Sequence, residues 1–368
     1  MNELHLFLAN TWFVLLGLML ALYVVLDGFD LGVGILSFFA RDEGRRGVMM
    51  STLGSVWDAN ETWLIVLGGT LFGAFPLAYG VVLHALSIPI ALMLVGLIGR
   101  AVAFEMRKRA ASTQSWNIAF GAGSLLAAVA QGYALGALIK GLAVRHGIYT
   151  GGLWDWLTPF STLVAVGLST GYTLLGATYL LMKTRGETQR RNIRRAWAAA
   201  WLMMVAAAAV ILWTPLQHPQ GAHNWFESSS ADYLLPLPVA AVFAFAMLLR
   251  ALRNRRKRAP FLWSNTIVVL SLLGLALSLY PYVIPQSVTV GQAAASSKTL
   301  VFMLTGIGVL IPIILIYSGY QYVVFRARIE PAQYEHDTSS RQTAQIGYRD
   351  AAENDNRGRV SNENVERG

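Results

Sequence analysis

The chain has 368 residues, 55% of them hydrophobic and 13% charged, with a formal net charge of +9 and no cysteine. That balance lies well outside the soluble range and reads as a protein buried largely in lipid. The missing cysteine excludes disulfides, Cys-ligated zinc and iron–sulfur clusters.

Apolar runs of about 20 residues are each long enough to cross roughly 30 Å of hydrocarbon. Nine are predicted, at about 7–39, 50–75, 79–104, 117–140, 158–182, 196–214, 233–252, 262–284 and 299–325. The expected fold is all-α: a polytopic membrane domain over 1–328 with about nine transmembrane helices. The first run is too long for one straight crossing, so it tilts or carries a polar-facing end. No cleavable leader is expected, because no basic stretch precedes this run and Asp27 and Asp30, rather than a small-residue cleavage site, follow its early apolar part.

Basic residues alternate with the runs. Arg41, Arg45 and Arg46 follow the first, Arg107, Lys108 and Arg109 the third, and Lys183, Arg185, Arg190, Arg191, Arg194 and Arg195 the fifth. Arg250, Arg253, Arg255, Arg256, Lys257 and Arg258 follow the seventh, and Arg326 and Arg328 the ninth. The opposite loops hold only Lys140, Arg145 and Lys298. The positive-inside rule then puts the N-terminus outside, in the periplasm of a bacterial inner membrane, and the C-terminus in the cytoplasm. Topology and anionic headgroups account for the net charge, so no nucleic-acid partner is implied.

Trp12, Trp116, Trp154, Trp156, Trp213, Trp225 and Trp263 fall near run ends, where indoles anchor in the headgroup layer. The segment around 215–232, with Pro215, His218, Pro219, His223 and Trp225, reads as an elaborate external loop. Residues 329–368 are polar, lack apolar periodicity and are expected to form a disordered cytoplasmic tail.

Formal charge interrupts three neighbouring runs: Asp27 and Asp30, then Asp58 and Glu61, then Arg100. Each costs roughly 2.5–3.5 kcal/mol at mid-bilayer unless it faces a protein interior. Counting from the run ends places all three helices' charges at comparable depth. Tyr23, Asp27, Asp30 and Gly34 follow one helical stripe. Gly54, Asp58, Glu61 and Ile65 follow another with Asn60 beside it, and Gly96 shares a face with Arg100. More acids than bases leaves two readings open: a static ion pair locked by Arg100, and a proton relay through the surplus acid.

His84 is the histidine deep in an apolar run, and one buried histidine cannot supply paired haem ligands. Nothing has metal-site spacing. Gly28, Gly32 and Gly34, like Gly68 and Gly69, lack the preceding strand of a nucleotide loop and signify helix packing.

The segments VLDGFDLGVGIL (25–36), SVWDANETWLIVLGGTLFGAFPLAYG (55–80) and IGRAVAFEMR (98–107) resemble subunit II of cytochrome bd-type quinol oxidases, with the cyanide-insensitive branch nearest in wording. The likeness covers about 1–325. It implies a bacterial inner-membrane oxidase of the ubiquinol-oxidase type that takes electrons from quinol and reduces dioxygen to water. It also implies that haems b and d belong to a partner, subunit I, in a heterodimer. This chain would then bind no cofactor alone, carry no redox-catalytic residue and be inactive by itself. A small accessory subunit, lipid and quinone are compatible partners. The family's acid after the motif tryptophan, here Asp58 beside Trp57, is assigned to proton uptake, and Asp30 and Arg100 match charged family positions. Roles for Asp27 and Glu61 in the same path, charge balance by Arg100, and packing by Trp57, Gly28, Gly32 and Asn60 are our own expectation. The rivals are a proton-coupled secondary transporter and a purely structural assembly subunit.

Overall fold

The computed structural model describes residues 2–40, 42–54, 56–110, 112–217 and 236–324, and its framework is helical. Helix α1 (Glu3–Phe38) runs unbroken for 36 residues, about 54 Å at 1.5 Å per residue, longer than a hydrocarbon layer is thick. Every residue from Asp27 to Ser37 is buried, as expected of a helix apolar on all sides. This half of α1 is the central post of the fold.

A short amphipathic helix, α2 (Glu43–Ser51), follows, with Asp42 capping it through Gly44 N–H. The predicted 50–75 run is α3 (Val56–Ala74). The predicted 79–104 run is two helices, α4 (Pro76–Ala85) and α5 (Ser87–Arg107). The chain leaves helical geometry at Leu86, because Pro89 has no N–H for the carbonyl of Ala85 and its ring would collide with it. Next come α6 (Gln114–Lys140), α7 (Pro159–Lys183), α8 (Gly186–Gln217), α9 (Pro236–Arg253), α10 (Ala259–Leu279) and α12 (Ser297–Val324). Two small antiparallel hairpins, β1–β2 (Val144–Arg145 with Ile148–Tyr149) and β3–β4 (Tyr282–Ile284 with Val288–Thr289), and the single-turn α11 (Val290–Ala293) sit in the connections.

Eight helices among the described residues are long and apolar enough to cross a membrane: α1, α5, α6, α7, α8, α9, α10 and α12. Helix α3 is the ninth predicted crossing. It has 19 residues, about 28 Å, but Asp58, Asn60 and Glu61 keep it out of the apolar set. The predicted loop at 215–232, apart from the last turn of α8, and the tail at 329–368 lie outside the described residues.

Helix α1 packs on α3, α6 and α7, while α5 lies along α6. These approaches need glycine. A Cβ on Gly32 would stand 2.8 Å from the backbone nitrogen of Gly176 in α7, and one on Gly96 or Gly123 would meet the other's carbonyl oxygen at 2.6 Å. One apolar core surrounds Phe29, Tyr179 and Phe261; a second, at the opposite end, surrounds Trp12, Phe75 and Tyr149. Trp12 is therefore not the headgroup anchor its position suggested. It is fully buried and donates its indole N–H to the carbonyl of Leu300 at 3.1 Å. Trp156 is likewise buried, whereas Trp154 is exposed.

Glu43 ties the α1–α2 corner to the α5–α6 turn. Its Oε1 accepts from Arg107 at 2.7 Å and Thr113 at 2.9 Å, and its Oε2 from Arg46 at 2.9 Å and Asn117 at 2.7 Å. Partial burial raises the Glu43 carboxyl, but hydrogen bonds from Asn117, Thr113 and Arg107 outweigh it and hold the group below its ordinary value of 4.5. A lowered folded value means stability that is complete above 4.5 and lost as pH falls through that lower value. Thermal unfolding in detergent should show this acid-side loss, and Glu43→Gln should flatten that part of the profile while lowering stability near neutral pH. An identical slope in both proteins would remove Glu43 as its source.

Candidate functional site

The buried half of α1 presents Asp27 and Asp30, three residues apart on one face. Neighbouring helices close around them with one cation and several neutral donors. Arg100 of α5 places Nη2 2.7 Å from Asp27 Oδ1 and 3.2 Å from Glu61 Oε2 of α3. Arg100 is 2% exposed and Asp27 0%, while Glu61 is 20% exposed at the rim. A buried guanidinium needs such carboxylates, since desolvating a charge without a partner costs several kcal/mol.

Asp30 is served differently. Among the described residues no cation lies within salt-bridge distance of it, though Arg100 is within electrostatic reach; Asn60 of α3 donates Nδ2–H to its Oδ2 at 2.8 Å, and Tyr322 of α12 donates to Asn60 Oδ1 at 2.9 Å. On the other side of Asp27, Gln131 of α6 lies 2.7 Å from the Tyr23 hydroxyl and 2.7 Å from that of Tyr172 on α7. Tyr23 in turn interacts with Asp27, one turn along α1. Three polar atoms inside the cluster stay without a protein partner: Asp27 Oδ2, Asp30 Oδ1 and Arg100 Nε.

Asp27, Asp30, Glu61, Asn60 and Arg100 are thus brought together, and Asp58 is not. The stripe through Asp58, Glu61 and Ile65 is out of phase with the buried face of α3, which runs through Val56, Ala59, Asn60, Trp63, Thr70 and Ala74. Each residue turns the helix by about 100°, so a one-residue error in phase moves a side chain from core to flank. Asp58 and Ile65 are exposed. Gly54 precedes α3 in a turn, with a φ of 55°. Asp58 still lies within electrostatic reach of Glu61. Trp57, with Leu53, Ala101, Phe104 and Phe120, lines a narrow gap that leads to Arg100. Gly28 faces the Tyr172 ring and Gly32 the α7 backbone, so both are packing positions.

Tyr322, Gln131 and Tyr172 are the residues that sequence reasoning missed. Gln131 carried a usable signal, being the one amide between Ile118 and Ile139. His84 is exposed and edge-on to Tyr149 at 5.5 Å, and His5 is bonded to Ser297 and Gly291. Among the described residues no group of three His, Cys, Asp or Glu is placed to hold a metal ion.

A family model described as cytochrome bd terminal oxidase subunit II matches residues 8–325. Cytochrome bd-I ubiquinol oxidase subunit 2 of Escherichia coli K12 is 29% identical over 368 residues, with 89% of this chain and 97% of the relative covered. Cytochrome bd ubiquinol oxidase subunit 2 of Bacillus subtilis 168 is 27% identical over 350 residues, with 91% and 100% covered. A chain of the solved bd oxidase from Geobacillus thermodenitrificans aligns with a TM-score of 0.69 at 17% identity, covering 84% of this chain and 97% of that one. At that identity the likeness is one of fold.

Arg100→Leu should strand Asp27 in the core and cost about 3–5 kcal/mol, the range for breaking a buried pair by removing one partner. The yield of folded subunit after membrane extraction should collapse. Full yield would mean that the pair does not hold these helices together.

Proposed function

The chain belongs to the cytochrome bd terminal oxidase subunit II family, a component of a terminal quinol oxidase complex, and from that membership we propose a haem-free subunit that supports subunit I and helps carry protons to it. The complex would oxidise ubiquinol outside and reduce dioxygen to water with protons drawn from the cytoplasm of a bacterium. Opposite-side release and uptake make the reaction electrogenic. The chain is a multi-pass membrane protein, and the inner membrane is the compartment this chemistry requires. The haems b and d belong to subunit I on this reading, and no step here runs through them.

The observation that carries the proposal is Asp30: a buried acid with one amide donor, one free oxygen and no cation of its own. An uncompensated carboxylate is costly in such surroundings, so Asp30 is the acid that holds an exchangeable proton. Asp27 is the carboxyl partner of Arg100, 2.7 Å from its Nη2. Glu61 at the rim links this pair outward to Asp58. Asp58 lies on the exposed face of a helix of crossing length, where lipid would penalise it, so we place subunit I on that face. The basic loops put the Glu43 end of the bundle in the cytoplasm, the side from which Asp58 and Glu61 would be fed.

Asp58→Asn and Asp30→Asn, each in the assembled two-subunit complex, should lower quinol oxidase turnover about tenfold or more, in line with the loss of a proton-transfer group. Haem absorbance should stay normal. Turnover unchanged in both variants would leave the purely structural reading standing.

A further inference from the structure

Where α2 meets α8, cations outnumber acids. Glu187 on α8 is shared between two of them: its Oε2 accepts from Arg45 of α2 at 3.0 Å, and its Oε1 from Arg191 Nε and Nη2 at 3.0 and 2.8 Å. Asp42 makes a longer contact with Arg45, 3.4 Å. Arg195, one turn beyond Arg191, has no such partner. Its Nη1 rests 4.0 Å from Met49 Sδ on α2, and among the described residues no carboxylate pairs with it. A thioether is a weak acceptor. Arg45 and Arg191 lie within electrostatic reach of Arg195 and repel it, and because Arg195 is half-buried, salt screens that repulsion less than at an open surface. Asn192 stands about 60° round α8 from Arg195, on the inner side. It is fully buried, and neither its Oδ1 nor its Nδ2 has a partner among the described residues. Buried amides are ordinarily bonded, so this one points to a polar ligand at the seam, beside a cation that has no acid.

The surface of α8 beyond Arg195 identifies the ligand. Arg191, Arg195, Ala198, Leu202 and Val205 follow one another at the spacing of a single helical stripe. Ala198 is exposed, Leu202 is 50% exposed and Val205 62%. From Arg195 to Val205 the stripe runs about 15 Å along a helix of crossing length. The basic loops put its cationic end in the cytoplasm. We propose that the seam between α2 and α8 binds an anionic phospholipid of the cytoplasmic leaflet. Arg195 and Arg191 hold the phosphodiester, Asn192 bonds the headgroup from the inner side, and an acyl chain lies along Ala198, Leu202 and Val205. A guanidinium has five N–H donors, so Arg191 serves Glu187 with two of its nitrogens and keeps further N–H groups for the phosphate. A free phosphate would answer the cations equally well but would leave the apolar stripe unused.

The test uses the assembled complex in phosphatidylcholine bilayers doped with phosphatidylglycerol that carries a diazirine on its acyl chain. After illumination, mass spectrometry of peptides maps the labelled residues. Label should concentrate on 198–205, several-fold above that left by the same diazirine on phosphatidylcholine. Arg195→Gln should lower the phosphatidylglycerol label there about fivefold, the effect of one cation near an anionic headgroup. Asn192→Leu removes only the buried amide and should lower the label in the same direction, which keeps the test open if the arginine variant does not assemble. Arg258→Gln deletes an exposed cation at the start of α10 and should leave the label on 198–205 unchanged. Equal labelling by the two lipids, or an equal fall in Arg258→Gln, would overturn the site, because either result describes a general surface potential. Labelling unchanged in both Arg195→Gln and Asn192→Leu would overturn it too. Millimolar inorganic phosphate at constant ionic strength should not displace the lipid. Displacement would assign the cations to a free phosphate and end the lipid assignment.

Discussion

A guanidinium 2% exposed and a carboxylate 0% exposed, 2.7 Å apart in a bundle of apolar helices, constrain everything around them. Neither charge is tolerable there alone, and their mutual attraction offsets desolvation only when geometry is good and remaining donors and acceptors are met. Helices α1 and α5 must therefore meet at one height, and the nearby backbone must allow it. The pairing of Gly96 with Gly123 lets α5 lie against α6, and Gly32 with Gly176 lets α7 lie against α1. In a membrane these close contacts take over much of what hydrophobic burial does in water, because lipid tails are as apolar as leucine.

The two acids of α1 sit one turn apart and meet different company. Asp27 has the cation, with Glu61 sharing it from the rim. Asp30 has an amide, itself fixed by a phenol from the last helix. The same device occurs on the far side of Asp27, where an amide on α6 is fixed by a phenol on α7. In both places the neutral amide has a definite donor end and a definite acceptor end, so it sets the direction of hydrogen bonds without adding charge. Two chemically identical side chains thereby have different partners one turn apart, and the proposed division of roles between them rests on that difference.

Charge was the legible part of this site. Asp27, Asp30 and Arg100 stand out because formal charge in an apolar run has few explanations, and they do meet. Helical phase was less legible. In α3 the acids suggested a face through Asp58 and Glu61, but the core selected Asn60 and Trp63, which are better buried, and left Asp58 outside. Interfacial tryptophan is a statistical rule, and Trp12 departs from it because the β3–β4 hairpin, α11 and the start of α12 fold over the first turns of α1. The break at Leu86 was readable from Pro89, yet hydropathy smooths across it. Gln131, Tyr172 and Tyr322 were missed because a single neutral polar residue in an apolar helix usually serves packing or a backbone carbonyl. Only the three-dimensional neighbourhood shows which of them close a network.

On the proposed reading, helix α3 shows what this chain needs from its partner. Its inner face contributes Asn60 to the acids of α1 and packs Trp63 in the core, while its outer face carries Asp58 above Ile65, 73% exposed, and Phe72, 61% exposed. A lipid-facing helix has no use for the carboxylate, and a water-facing one has no use for the two large apolar groups below it. A protein partner with a polar region level with Asp58 and an apolar surface beyond it satisfies both. Because Asp58 lies within electrostatic reach of Glu61, and Glu61 touches Arg100, whatever covers Asp58 also sets the charge felt by the buried pair. On the proposed reading, subunit I does more than receive protons from this chain: by covering that face it determines how readily the chain gives them up.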